Sequence, residues 1–445
     1  MSAFPPNQYF LLRGGRVVDP ASGGSRREDV LLGEGRVQAR GPALEVPPGT
    51  AVVPAADRLI FPGLIDMHVH LREPGREDKE TIVTGTRAAV AGGFTSVVAK
   101  ANTFLVMDNP AVVEFVLSRA ARAAYAHVFP VGSITAGLKG YGSLSDIRSL
   151  KEAGVVALSD DGVPVVAADV MAEAMLYARD LDLLLVAHAE DYGLSGGAVT
   201  EGPTSSTTGL GGTPPEAEEI LVARDLILLR YTGGKLHVAH VSGAASLAHI
   251  RRAKAEGLDV TCETAPHYLL LTDEAAASFD PNAKMNPPLR SAADREAVVA
   301  ALADGTIDAI ASDHAPHTAA EKDAPFAAAP FGVVGLETTL KLVYTYLVLP
   351  GIISTERMVE LLAAKPAARL GLAGRGRLAP GDWADVTVFD PAPEGTVRAA
   401  DFRSQGRNTP FEGWAVRGRV ETVFVDGRPV VWRGELMDER GGDGR

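Results

Sequence analysis

Phe61-Pro62-Gly63-Leu64-Ile65-Asp66-Met67-His68-Val69-His70-Leu71-Arg72 decides how this chain is read. The run starts as an apolar strand and ends in imidazoles, a carboxylate and a guanidinium. Further short apolar runs follow at Thr95 to Ala99, Val128 to Val131, Val155 to Leu158, Leu183 to Ala187, Leu236 to Ala239, Val260 to Cys262 and Ala309 to Ala311. Stretches of helical period separate them: Leu150 to Ala153, Met171 to Leu181, Pro215 to Tyr231, Ala245 to Glu256 and Ala292 to Ala303. Strands alternating with helices imply parallel βαβ units. Eight such runs over about 300 residues fit a closed α/β barrel, a TIM-like (β/α)8 fold, better than an open doubly wound sheet.

Outward from the barrel the texture changes. Strand-like runs punctuated by Gly and Pro fill Tyr9 to Leu59 and return at Ala384 to Phe389, Ala415 to Val420, Glu421 to Val425 and Val430 to Trp432. Residues 1–60 and 366–445 are therefore expected to build one small β-sandwich domain from both termini, around a catalytic barrel at 61–365. The Gly- and charge-rich tail from Asp438 to Arg445 is expected to fray. The 445 residues carry 43 Lys and Arg against 56 Asp and Glu, a net charge of −13 that argues against nucleic acid or an anionic membrane as partner. The single Cys262 excludes an internal disulfide framework or a cysteine-clustered metal site, and its apolar neighbours predict a packed core thiol. No apolar run is long enough for a membrane span, and Met1 to Gln8 lacks the basic and apolar regions of a secretion signal. A soluble, cytoplasmic protein is expected.

Polar, ligand-type residues gather where the strands end. After Asp66, His68, His70 and Arg72 come Asn102, then Asp160-Asp161-Gly162, His188-Ala189-Glu190-Asp191, His240, His267 and Ser312-Asp313-His314-Ala315-Pro316-His317. Seven of the ten histidines fall in these clusters, leaving His127, His237 and His249 outside. In such barrels catalytic groups come from the C-terminal ends of different strands. Asp66, His68 and His70 at i, i+2, i+4 share one face of a strand, so the two imidazoles can hold one metal ion with Asp66 orienting a ring behind them. His188, His240 and Asp313 extend the ligand set, and imidazole with carboxylate suits zinc, manganese or cobalt. So many ligands suggest two ions sharing a carboxylate, with Asp161 the candidate bridge; an acidic turn is the alternative for Asp160-Asp161-Gly162. Arg72, beside the metals, argues for an anionic, carboxylate-bearing substrate. Asn102 and Asn286 can recognise a ureido or amide group, or serve as turn residues. His267 reads as a supporting or structural histidine.

These motifs resemble the dihydroorotases of the amidohydrolase superfamily, whose fold is a metallo-dependent hydrolase barrel. The resemblance starts at Phe61 to Gly75. It continues through Gly92-Gly93-Phe94-Thr95, Ser159 to Gly162, Ala187 to Asp191, His240-Val241-Ser242, Asn282 to Arg290, Ser312 to His317, Phe331-Gly332, Gly335 to Thr338 and Asn408-Thr409-Pro410-Phe411. It is strongest to the bacterial type I enzymes, in which an aspartate bridges the metals; related hydantoinases use a carboxylated lysine. It implies two Zn2+ per chain held by His68, His70, Asp161, His188, His240 and Asp313, with Asp160 the fallback bridge. It also implies that Arg72, Asn102, Asn286, His317 and the Phe331-Gly332 backbone hold the substrate. One departure stands out. The family usually reads Met-Pro-Asn-Thr-x-Pro after the second strand, whereas this chain has Lys100-Ala101-Asn102-Thr103-Phe104-Leu105, predicting a looser loop.

The implied reaction interconverts dihydroorotate and N-carbamoyl-L-aspartate in pyrimidine synthesis. A bridging hydroxide would attack the ring carbonyl, with Asp313 as general base and then general acid. Two alternatives accompany it: another cyclic amidohydrolase (hydantoinase, dihydropyrimidinase or allantoinase), or a non-catalytic scaffold for aspartate transcarbamoylase. A homo-oligomer and a complex with that transcarbamoylase are possible assemblies. The Ala-rich segment Thr318 to Ala329 reads either as a lid over the substrate or as an ordinary surface excursion.

Overall fold

The computed structural model describes residue 4 and residues 8–437; the tail expected to fray, 438–445, lies outside them. Eight parallel strands form the central sheet, numbered here β1 (Leu64–Val69), β2 (Phe94–Ala99), β3 (His127–Gly132), β4 (Ala157–Leu158), β5 (Leu184–Ala187), β6 (Lys235–Val238), β7 (Val260–Thr264) and β8 (Ala309–Ile310). They pair in chain order. Closure comes just beyond β8, where His314 bridges Val69 in parallel and accepts the His70 N–H at 2.8 Å. The expected barrel is therefore present.

Helices flank the strands for reasons legible in the chain. The helix Ile82–Ala91 opens on a Thr81/Thr84 capping box, Pro110–Ala123 on Asn109 with Pro at its first position, and Ile147–Ala153 on Asp146. The helix Pro110–Ala123 buries Val112, Val113, Val116 and Ala120, one stripe of helical spacing. It and Ile82–Ala91 lay outside the periodic stretches singled out in the sequence. The five helices that were singled out form at Ile147–Ala153, Ala168–Asp180, Glu216–Thr232, Ala244–Ala255 and Ala292–Ala303.

Strands from the two chain ends meet in one nine-stranded sheet among the described residues. Leu59–Pro62 pairs antiparallel with Val386–Phe389 on one side, while its neighbour Phe10–Asp19 pairs with Gly24–Gly33. A register shift after Leu12 merges two of the expected strands into Phe10–Asp19, and Ala415–Val425 likewise joins two. This sheet has its own core, including Phe10, Leu12, Val30, Ile60, Val386 and Phe424. Inside the barrel, Ile65, Met67, Val98, Val131, Leu184 and Val186 cluster with Ala367 and Leu370 from the chain beyond β8. That packing fills one end of the barrel and leaves the polar residues at the other.

Candidate metal centre

The ends of five strands converge on Asp161, which follows β4. Its Oδ2 lies 3.1 Å from His68 Nε2 and 3.5 Å from His70 Nε2. Its Oδ1 lies 3.5 Å from His240 Nε2 and 3.8 Å from His188 Nδ1. Asp313 Oδ1 completes the first group, 3.4 Å from His68 Nε2 and 3.5 Å from His70 Nε2. All six side chains are buried. Asp160 turns away: its carboxylate accepts the N–H groups of Ile134 (2.6 Å) and Thr135 (3.1 Å) and the Thr135 hydroxyl. The acidic pair thus divides its work, one residue tying the loop after β3 and the other facing the histidines.

Backbone geometry at this rim is unusual. Arg72, His240 and Asp313 adopt left-handed φ values of 62°, 37° and 48°. Such conformations cost about 1–3 kcal/mol at a non-glycine residue and persist only where surrounding structure holds them. The pairing of β1 with β2 also slips register between Asp66 and Val69, which re-aims side chains. The rings of His68 and His70 nevertheless face the same two carboxylates, Asp161 and Asp313. Asp66 does not orient a ring; its Oδ1 accepts the main-chain N–H of His68 and of Ser312, both at 3.1 Å.

The ring of His68 is held instead by Glu263, whose Oε1 lies 2.7 Å from Nδ1. Sequence reasoning missed this residue. The available signal was a carboxylate one place after the apolar run Val260 to Cys262. His70 Nδ1 faces Asn102 Oδ1 at 2.9 Å. His188 Nε2 meets Glu190 Oε2 at 2.9 Å, and the Asn286 amide donates to the same oxygen at 2.8 Å. Three of the four rings thus present one nitrogen to an oxygen partner and the other towards Asp161, the arrangement that fixes metal-binding histidines. Lys100, also missed, directly follows β2, with its Nζ 3.9 Å from Asp161 Oδ1.

The electrostatics call for a cation. Burial works against charge on Asp161, yet His68 and Lys100 hold its carboxyl well below the usual carboxylate range. Burial likewise opposes charge on His68, but Asp161 and Asp313 push its pKa up to about 10. In the protein alone these carboxylates keep a proton on an imidazole that a metal would displace. Asp161 Oδ1 is buried without a hydrogen-bond donor, a costly state unless an ion satisfies it. The donors present fit a divalent metal.

The expected substrate groups stand around this cluster with differing commitments. Arg72 is half-buried, its Nε donating to the Pro316 carbonyl at 3.3 Å. Burial pushes its pKa down to about 10 although Asp313 lies near. The His317 Nε2–H donates to the Phe331 carbonyl at 2.7 Å, and burial beside Arg72 and Lys79 lowers its pKa to about 3, so it is neutral. The Gly332 N–H donates to Lys284 O and its carbonyl accepts from Asn408. Much of the Phe331-Gly332 backbone is thus already bonded within the protein. His267 lies buried against Tyr268, with its pKa lowered to about 4 by burial. Cys262 is buried, its thiol pushed up by desolvation. The segment 318–329 is fastened down: Lys322 Nζ donates to the carbonyls of Pro281 and Pro330, and Lys284 Nζ to those of Ala327 and Ala329.

A parallel barrel whose strand ends carry buried histidines on both sides of one carboxylate suits a metal-dependent hydrolase. Residues 57–246 match the family model described as Dihydro-orotase-like, and residues 230–431 that described as Amidohydrolase family. A dihydroorotase of Geobacter sp. (strain M21) is 49% identical, spanning 96% of this chain and 100% of its own length. That of Geobacter sulfurreducens is 50% identical over the same shares. Among solved structures, the L-hydantoinase of Arthrobacter aurescens superposes with a TM-score of 0.88 at 26% identity, covering 97% of this chain and 98% of its own. The chain belongs to the dihydroorotase family and is a cyclic amide hydrolase. Among the described residues no helix is long and apolar enough to cross a membrane.

Proposed function

We propose that the chain catalyses the reversible hydrolysis of (S)-dihydroorotate to N-carbamoyl-L-aspartate, with two divalent ions, zinc in the first instance, at the centre. His68, His70 and Asp313 would hold one, His188 and His240 the other, and Asp161 would give an oxygen to each. When bound, the ions lower the pKa of a water and polarise the scissile carbonyl. The observation that carries this reading is that the two oxygens of Asp161 face separate pairs of imidazoles, at 3.1 and 3.5 Å and at 3.5 and 3.8 Å.

The chain's own residues supply the rest. Asp313 is held ionised by His68 and His70 against the effect of burial. Its carboxylate takes a proton from the attacking water and returns it to the ring nitrogen as the C–N bond breaks. Arg72 pairs with the substrate carboxylate at the mouth. Asn286, anchored on Glu190, and Asn102, anchored on His70, orient the ring amides. His317, neutral, donates through one nitrogen and supports the Phe331-Gly332 turn beside the substrate.

The test is a direct comparison of dihydroorotate, hydantoin and dihydrouracil on one zinc-loaded preparation, followed from both directions of the reaction. Turnover of dihydroorotate well above the other two supports the proposal; preference for hydantoin or dihydrouracil overturns it in favour of a neighbouring cyclic amidohydrolase. Ring opening creates a second carboxylate and releases a proton. The apparent equilibrium is therefore expected to shift towards the open acid by about tenfold per pH unit near neutrality. An equilibrium that ignored pH would remove the reaction.

A further inference from the structure

Lys100 is out of keeping with the cluster it enters. It follows β2 directly, and its main-chain N–H donates to Val69 O at 3.0 Å, which pins it beside His68 and His70. The side chain is 1% exposed, and Nζ stands 3.9 Å from Asp161 Oδ1. That is the oxygen facing His188 and His240, and it has no hydrogen-bond donor. A fixed ammonium beside a cation site raises the cost of every further positive charge there.

The two halves around Asp161 also differ in spacing. Ligands about 2.0–2.1 Å from a tetrahedral zinc sit about 3.3 Å apart. His68 Nε2, His70 Nε2 and Asp313 Oδ1 are already close to this, at 3.4 and 3.5 Å. His188 Nδ1 and His240 Nε2 approach to 2.8 Å, a hydrogen-bond distance shorter than that spacing.

We infer that Lys100 makes the centre unequal: its ammonium supplies part of the positive charge on the Asp161 Oδ1 side. The His68–His70–Asp313 half then takes a divalent ion tightly, and the His188–His240 half takes a second one weakly. This deepens the metal-centre reading above and rests on it. Lys100 is a positioning residue; nothing places it on the substrate.

The experiment counts metal rather than turnover. Full-length protein, Lys100→Met and Lys100→Gln are stripped with a chelator, reloaded with zinc and dialysed against a competing chromophoric chelator. Zinc per chain is then measured by mass spectrometry and the stepwise dissociation constants by titration, with circular dichroism confirming the fold of each variant. The parent is expected to retain one ion. The variants are expected to retain two, with the second dissociation constant falling by about tenfold or more and the first moving little. Adding His188→Ala to Lys100→Met is expected to return the count to one. Two equally tight ions in the parent, or variants that stay at one, overturn the inference while leaving the metal centre standing. A parent and variants that bind no zinc overturn the metal centre itself, and the inference with it.

Discussion

In the terminal sheet Phe10, Ile60, Val386 and Phe424 are buried among apolar neighbours. At the strand ends of the barrel Asp161, Asp313, Glu263 and His68 are also buried, but among one another. Apolar burial adds stability at roughly 25 cal/mol per Å², whereas buried charges, even paired, are weak evidence for stability. The rim adds left-handed backbone at Arg72, His240 and Asp313. One region of the molecule is arranged to persist and the other to bind. Substitutions in the two are expected to separate stability from rate.

Asp161→Asn should show the largest effect. The amide keeps the shape but loses the charge and one acceptor oxygen between the two histidine pairs. We expect kcat to fall by about 10³-fold or more and bound zinc to drop. A variant that kept near-normal turnover would break the contrast at its centre. Chelation of the parent should have the same kinetic effect and be reversed by added zinc.

Next comes Arg72→Lys. Charge is kept, but the planar fork that matches a carboxylate is lost. A fall of about 10–100-fold in kcat/KM, carried mainly by KM, is expected. An equal loss in kcat with unchanged KM would place Arg72 in the chemistry rather than in binding. Glu263→Gln should act through His68: zinc affinity is expected to weaken by about 10–100-fold, read by competition with a chelator. Excess zinc should restore much of the rate, which it would not do if Glu263 touched the substrate.

What the sequence makes legible follows from the same contrast. The barrel was legible because Leu64–Val69 and its seven counterparts are short and apolar and nearly all end in polar residues, a signal set by burial on both faces. The convergence of His68, His70, Asp161, His188, His240 and Asp313 followed from that topology, since every strand of a parallel barrel delivers its C-terminal end to one rim. What stayed hidden depends on side-chain direction. Alternation placed Asp66 behind an imidazole, but Glu263, 195 residues away, holds that post. Lys100 read as a break in a loop motif, and only the folded chain shows its Nζ beside Asp161. In the terminal sheet the strands were visible, but their merging at Leu12 and at Val420 rests on bulges that leave little trace in composition.

The smallest effect on rate is expected where the effect on stability is greatest. Phe424 is fully buried in the Ala415–Val425 strand, its ring centroid 5.1 Å from that of Phe10 in an edge-to-face contact. Truncation to alanine removes that contact and leaves a void between strands drawn from opposite ends of the chain, a loss of about 3–5 kcal/mol. The midpoint of urea unfolding followed by tryptophan fluorescence should therefore move well down. Below that midpoint, kcat and KM per folded chain should stay within about twofold of the parent, because rates change when transition-state contacts are lost and Phe424 makes none. The barrel does not stand wholly apart, however. Thr387, on the strand that pairs with Leu59–Pro62, donates its hydroxyl to Gly93 O at 2.8 Å, directly ahead of β2. If Phe424→Ala lowered kcat at temperatures where the chain is still folded, the strain would be reaching Lys100 and Asn102 along β2, and the division between a persisting region and a binding one would have to be redrawn with β2 on both sides of it.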